Sequence, residues 1–435
     1  MYLIHVGSAD PTAQLPESEP MTSNPDVKIN AERVWQRHMD LAKIGATDGG
    51  GVHRLALSAK DIEAHCRMAQ WAGERGYGIE LDAIGNMFIR RPGSDPQAIA
   101  VASGSHTDTQ PFGGRFDGAL GVLAAFEALE ALDDAGVATR RPIDVAIWNN
   151  EEGARYVPGL SGSAVYTGVL DLDEMLDCTD DDGIAMRDCV KDLHAALPEA
   201  GRRELGRPYA GFVEAHIEQG TILEDAGELI GVVTDIQGNR RFEVTVTGEN
   251  AHSGTTPRAR RKDAFVAAVD ISVALRDVFW DAEDTVRFTI GRFDVQPGAK
   301  SVVPGRVDFF IDFRHPAADV LRELGDQVAT VAQRHAGPCD VEVKSVSSAP
   351  PLVFAASVTD SIKRSAERRG YPYRTMISCA GHDARYLATQ CPTAMVFIPC
   401  WKGISHNEQE SCEPEHVAAG TQVICDVLLE MANQA

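Results

Sequence analysis

Between Arg241 and Val346 the apolar residues switch repeatedly between a period of two and a period near 3.6, and nothing else in the chain limits the fold as much. Phe242, Val244 and Val246 fall on one face of a predicted strand over Arg241–Thr247. Asp263–Val278 reads as a helix, with Ala264, Ala267, Ala268, Ile271 and Leu275 on one stripe. Thr285–Phe293 and Arg306–Phe313 read as strands, joined through Pro297 and Pro304. Leu321, Leu324, Val328 and Val331 then mark a second helix, and Asp340–Val346 a last strand. The order β-α-β-β-α-β is that of a ferredoxin-like α+β unit.

On either side, the rhythm is that of an α/β protein. Ala98–Ser103 is a short run of small apolar residues, predicted as a buried strand. Gly118–Leu132 has helical spacing through Val122, Phe126 and Leu129. Ile143, Val145 and Ile147 alternate with Asp144 and Ala146 as in a strand. After Pro350 and Pro351 the alternation resumes, with Thr393–Ile398 as a further strand. The expected division is a flexible tail over 1–25, a larger α/β domain over 26–232 and 349–435, and a smaller unit inserted over 233–348. Pro11, Pro16, Pro20 and Pro25 mark the tail, within which Met21 is an alternative start.

Charge narrows the partners. There are 64 acidic and 41 basic side chains, a formal net charge of −23. Such a surface repels polyanions, so nucleic acid is a poor partner and an anionic membrane hardly a better one. The best apolar run, Phe265–Leu275, is short and broken by Asp270, so no span is expected. No basic region precedes an apolar segment near the N-terminus, which reads against a secretion signal. Nine cysteines, an odd number without a CxxC pair, suit free thiols in a reducing cytoplasm.

Chemistry concentrates at the predicted strand ends. Gly104-Ser105-His106-Thr107-Asp108-Thr109 is followed by Gly113-Gly114-Arg115-Phe116-Asp117-Gly118. His106 stands past a buried strand and Asp117 before a helix, where open α/β sheets bind ligands. A His and a carboxylate there suit a divalent metal. The bland alternative is a loop hydrogen bond for His106 and a helix cap for Asp117. The next strand ends Trp148-Asn149-Asn150-Glu151-Glu152-Gly153. Adjacent glutamates at the mouth of an apolar strand repel each other unless cations compensate. They point to opposite sides, so one can bind metal while the other moves the proton of a water. His216, in Glu214-Ala215-His216-Ile217-Glu218-Gln219-Gly220, and His406, in Gly403-Ile404-Ser405-His406-Asn407-Glu408, complete enough ligands for two metals sharing one carboxylate.

The motifs GSHTDTQPFGGRFDGALGV, NNEEGARY, HIEQG, AHSGTTP, SCAGHDA and GISHNE stand in an order that resembles the amidase/hydantoinase/carbamoylase branch of the M20 metallopeptidase clan. The resemblance runs from about Ile29 to the C-terminus and includes Ile84-Gly85-Asn86. It implies a larger dinuclear-metal hydrolase domain with a mixed sheet and flanking helices, and an inserted ferredoxin-like domain through which two copies dimerise. It implies two divalent ions per subunit (Zn, or Mn, Co or Ni). His106 and His216 would hold one, Glu152 and His406 the other, and Asp117 would bridge. Glu151 would be the general base, and Asp108 would hydrogen-bond His106. His252 would reach the active site of the other subunit and stabilise an oxyanion. Arg314 would hold a substrate carboxylate, a role its position among polar neighbours on the Arg306–Arg314 strand also suits; a salt bridge to Asp312 is the structural alternative. Gln219 and His382, in matching motifs, would be further candidates for substrate contact.

The implied reaction removes the carbamoyl group of an N-carbamoyl amino acid (L-α or β-alanine type), releasing ammonia and carbon dioxide. Allantoate hydrolysis, or an M20 aminoacylase or peptidase cutting a simple amide, is the alternative. Two departures stand out: Ser301 replaces an asparagine tied to substrate binding, and Arg258 replaces a common methionine. Arg258–Arg261 and Arg240–Arg241 form a basic cluster that could draw in anions or be merely solvated. A non-catalytic protein on this fold would have lost the base or ligands, and none is missing. A nucleotide-binding enzyme would show GxGxxG or GK[ST], and neither is present.

Overall fold

The computed structural model describes residues 25–434. The proline-rich tail and the choice between Met1 and Met21 lie outside the described residues.

The larger sheet has at its centre four mutually parallel strands: Thr393–Ile398, Gly211–Ile217, Val101–His106 and Ile143–Trp148, in that spatial order. Antiparallel strands flank them, Ile230–Ile236 on one side and Met87–Arg91 then Gly78–Leu81 on the other, so the sheet is mixed. All residues of the four central strands are buried, as expected where helices cover both faces. The helix Ala119–Asp134 packs on the Val101–His106 strand and against the long C-terminal helix Pro414–Asn433.

Two sequence expectations shift here. The first central strand runs three residues later than its small apolar residues suggest, so His106 is its last residue rather than the first of the loop. The Ile143–Trp148 strand is buried on both faces despite its alternation. Asp144 is carried inside by ion pairs to Arg90 at 2.7 Å and Arg203 at 3.0 Å.

The second sheet is antiparallel, in the order Arg287–Gln296, Arg306–His315, Gly238–Thr247, Asp340–Ala349, with helices Ala264–Val278 and Ala318–His335. The first helix begins where Asp263 accepts hydrogen bonds from the Phe265 and Val266 amides. Its buried residues are Ala264, Ala267, Ala268, Ile271 and Leu275, the predicted stripe. This sheet and its helices bury their own apolar cluster, separate from that of the larger sheet. Ala251–His252 and Val302–Val303, far apart in sequence, pair as a short antiparallel ladder of their own. Among the described residues no helix is long and apolar enough to cross a membrane.

Candidate metal centre and substrate cavity

The central strands deliver four chain segments to one edge of the sheet. His106 pairs in register with Trp148, so Glu151 and Glu152 emerge beside it. His216 pairs with Phe397, and the chain after Ile398 returns with His406. Asp117 sits just before the helix Ala119–Asp134. Non-glycine residues here take left-handed backbone, among them Asn150 at φ +53°, Leu160 at +58°, Gln219 at +58° and His406 at +54°. Such conformations cost on the order of 1 kcal/mol or more each and collect where geometry serves a site. Gly118 is needed for two reasons: its φ is +65°, and a Cβ there would lie 2.3 Å from the His106 ring.

Both buried histidines present Nε2 to Asp117. His106 Nδ1 donates to the Asp108 carbonyl at 2.9 Å, and His216 Nδ1 to the Ile217 carbonyl at 3.0 Å, which turns each Nε2 inward; that of His216 also accepts from the Gly118 amide at 3.3 Å. His216 Nε2 lies 3.0 Å and His106 Nε2 3.6 Å from Asp117 Oδ1. The other oxygen, Asp117 Oδ2, is 3.4 Å from His406 Nε2, which in turn is 3.5 Å from Glu152 Oε2. Glu151 Oε2 stands 3.4 Å from His106 Nε2. The ligand atoms thus form two triads, His106–Asp117–His216 and Asp117–Glu152–His406, each within 4.8 Å, sharing one carboxylate.

The electrostatics suit cations. Burial, then the charges of Asp383 and Glu152, push the Glu151 carboxyl well above its usual range against the pull of His106. Burial and then Asp117 push Glu152 up to about 8. Asp117 goes the other way: burial opposes its charge, but His216 and His106 hold it well below the usual range. Divalent ions would offset the cost of grouping these carboxylates. Imidazole nitrogen with carboxylate oxygen is a donor set for Zn, Mn, Co or Ni. The buried Nε2 of His106 has no hydrogen-bond partner among the described residues. The residues present fit a metal pair.

A second layer holds the ligands, and most of it went unmarked in the sequence. Glu410, fully buried, accepts hydrogen bonds from the Phe116 and Asp117 amides at 2.8 and 3.0 Å, fixing the loop that carries the shared carboxylate. Gly114 makes room for it, since a Cβ would meet the Glu410 carboxyl. Ser405 Oγ and Gln219 Nε2 donate to Asp117 Oδ2 at 2.7 and 2.9 Å. Gln219 therefore touches a ligand as well as facing the cavity. Buried Glu214 accepts from Ser105 Oγ at 2.7 Å and the Ala384 amide at 2.8 Å. No motif singles out Glu410; an acid inside the otherwise apolar Gly211–Ile217 strand is the signal for Glu214.

A cavity of about 470 Å³ opens from this centre towards the smaller sheet. Its walls include Glu151, His216, His382 and His406 at one end and Asn239, Arg241, Arg314 and Arg385 at the other. Arg314 Nη1 donates to the Cys379 carbonyl at 2.6 Å, and its Nε is 3.4 Å from Asp312 Oδ1. The ion pair with Asp312 is therefore formed, and the same side chain lines the cavity. His382 packs tilted against His216, with 4.5 Å between ring centroids, and contacts Ser378 Oγ at 3.0 Å. Burial and then the charge of His216 hold His382 well below its usual range, so it is a neutral ring.

Asp108 departs from its expected contact, and His252 and Ser301 lie off this chain's own cavity. Asp108 meets His106 through its main-chain carbonyl; its carboxylate is 3.7 Å away and instead accepts from the Glu151 and Glu152 amides at 3.3 and 3.2 Å. His252 is exposed on the short two-stranded ladder, its Nδ1 accepting from the Gly254 amide at 3.0 Å, and does not line this chain's cavity. Ser301 is also off the cavity wall, its carbonyl accepting from the Ser253 amide at 3.1 Å. Arg258–Arg260 form an exposed 3₁₀ turn, away from the wall that Arg241 lines.

Residues 102–430 match the sequence profile of peptidase family M20/M25/M40. An N-carbamoyl-L-amino-acid amidohydrolase of Rhizobium meliloti is 37% identical over 93% of this chain and 97% of its own. An allantoate amidohydrolase of Escherichia coli (strain K12) is 33% identical over 91% of this chain and 96% of its own. The crystal structure of an amidase of the hydantoinase/carbamoylase family from Burkholderia multivorans superposes with a TM-score of 0.87 at 40% identity, covering 94% of this chain and all of that one.

Proposed function

The chain belongs to peptidase family M20/M25/M40, and from that membership we propose that it is a metal-dependent amidohydrolase removing the carbamoyl group of an N-carbamoyl amino acid. The observation that carries this reading is the pair of ligand triads sharing Asp117, with Glu151 beside them and Arg314 across the cavity. The overall change is R–NH–CO–NH₂ + H₂O → R–NH₂ + NH₃ + CO₂.

When bound, two divalent ions supply an acidified water and stabilise the charge developing on the ureido oxygen. His106 and His216 with Asp117 would hold one, Glu152 and His406 with Asp117 the other. Glu151 takes the proton of the attacking water and returns it to the leaving nitrogen; a carboxylate raised by burial is suited to both steps. Arg314 pairs with the substrate carboxylate and sets the ureido carbon over the metal centre. Gln219 orients Asp117, and neutral His382 closes the wall behind His216.

His252 and Ser301 act, in this reading, in the cavity of a second copy. The homodimer forms through the unit 233–348, where Phe265, Val266, Val269 and Val273 are exposed on one helix. Nine free cysteines support a reducing, cytoplasmic setting.

The test is ammonia release by chelated protein after Mn or Zn is restored. The panel holds N-carbamoyl-L-amino acids, N-carbamoyl-β-alanine, allantoate and an N-acetyl amino acid. Metal-dependent ammonia from an N-carbamoyl compound is expected. Allantoate alone as substrate would move the chain to the function named for its Escherichia coli relative, and cleavage of the acetyl compound alone would make it an acylase.

A further inference from the structure

The arginine end of the cavity carries more positive charge than one substrate carboxylate neutralises. Arg241, Arg314 and Arg385 all line it. Asp312 serves two of them, 2.9 Å from Arg241 Nε and 3.4 Å from Arg314 Nε. Arg385 has no carboxylate within 4.0 Å among the described residues. Its guanidinium donates to two main-chain carbonyls, Nη1 to Pro350 at 2.9 Å and Nη2 to Gln237 at 2.8 Å. These bonds hold the group in place and leave Nε–H and one N–H on each terminal nitrogen unused, but they supply no counter-charge. Burial first, and the charge of Arg314 with it, pull the guanidinium down from its usual range.

Three guanidiniums against the one Asp312 carboxylate leave two positive charges. The carboxylate common to all N-carbamoyl amino acids, held by Arg314, accounts for one. Partly desolvating a lone cation is costly unless a ligand anion repays it. Asn239, Ser347 and Tyr386 add polar groups to the lining of the same cavity.

Resting on the carbamoyl reading above, we propose that the amino-acid part of the substrate bears a second carboxylate on its side chain, received by Arg385, with Arg241 lining the same cavity. Arg385 is a specificity-determining residue, and the substrate class is the N-carbamoyl dicarboxylic amino acids.

The experiment compares kcat/KM of the metal-loaded enzyme for N-carbamoyl-L-glutamate and N-carbamoyl-L-aspartate with that for N-carbamoyl-L-methionine. Wild type should favour a dicarboxylate by about 10-fold or more, and Arg385→Gln should collapse that ratio by roughly 10- to 100-fold. Arg385→Lys, which keeps the charge, should recover part of it. A wild-type enzyme that prefers the methionine compound would overturn the proposal. So would an unchanged ratio in Arg385→Gln with a lowered melting temperature, which would make the arginine a tether for the two chain crossings only. Calorimetric binding of N-acetyl-L-glutamate against N-acetyl-L-methionine separates this inference from its premise. Preference for the dicarboxylate without turnover of any carbamoyl compound would sink the carbamoyl reading and keep the anion site; no preference in binding or turnover would sink the site.

Discussion

The two ends of the cavity are built on different principles. The metal end rests on the tips of four buried parallel strands, and main-chain atoms fix its buried ligands: the Asp108 and Ile217 carbonyls orient His106 and His216, and buried Glu410 accepts from the amides of Phe116 and Asp117. The arginine end rests on the antiparallel Gly238–Thr247 and Arg306–His315 strands and on a loop that crosses to meet them. Its side chains are long and half-buried, and they bond across between the two sheets. One end is organised to hold charge on ions, the other to receive charge on a substrate. Chemistry should therefore fail at the first end, and recognition at the second.

The largest expected effect tests that division. Glu151→Gln should retain the metals and lower kcat by about 10²- to 10⁴-fold with little change in KM. Normal turnover in the variant would remove Glu151 from the proton path. Arg314→Ala should do the reverse, raising KM for carboxylate substrates roughly 10- to 100-fold with a smaller change in kcat. Equal losses in both parameters would mean that the arginine end takes part in the chemical step.

Glu410→Ala probes the support of the metal end. It leaves the Phe116 and Asp117 amides without their acceptor, so metal affinity should fall about 10- to 100-fold while the fold persists. Metal titration followed by activity reads this; an unchanged affinity would show that the Asp117 loop holds itself.

The smallest effect concerns pH. Buried Asp82 accepts from the Ile84 and Asn86 amides and from Asn86 Nδ2, and Asn86 Oδ1 in turn accepts from the Asn149 amide. Burial pushes Asp82 up to about 7 despite these bonds. The folded state therefore keeps a proton that the unfolded chain sheds near pH 4, and this contribution to stability is lost as pH rises from about 4 to 7. Asp82→Asn should abolish that component, a slope of at most about 1.4 kcal/mol per pH unit in denaturant titrations. Parallel pH profiles for variant and wild type would contradict it.

The same contrast explains what could be read in advance. Metal-end residues stand within short motifs at strand ends, where His106, Glu151–Glu152 and His406 each follow an apolar run. The smaller sheet's strands and helices were legible from period alone, down to the Ala264–Leu275 stripe. Arg385 gave no such signal, because its place depends on the 379–385 loop meeting the crossings at Gln237 and Pro350. Glu410 was missed for a like reason: only the folded loop shows that Gly114 leaves room for it. The Asp108 contact came out differently because a sequence does not say whether a side chain or its own carbonyl meets a ring.

The shared carboxylate is the centre of the account, and metal counting tests it most directly. Bound divalent ions per chain should be measured for wild type and for His216→Ala, His406→Ala and Asp117→Ala after identical loading and washing. Two ions are predicted for wild type, one for each histidine variant, and a loss at both sites for Asp117→Ala. If Asp117→Ala keeps one ion fully bound, as the histidine variants do, the carboxylate is not shared and the two-metal account is contradicted.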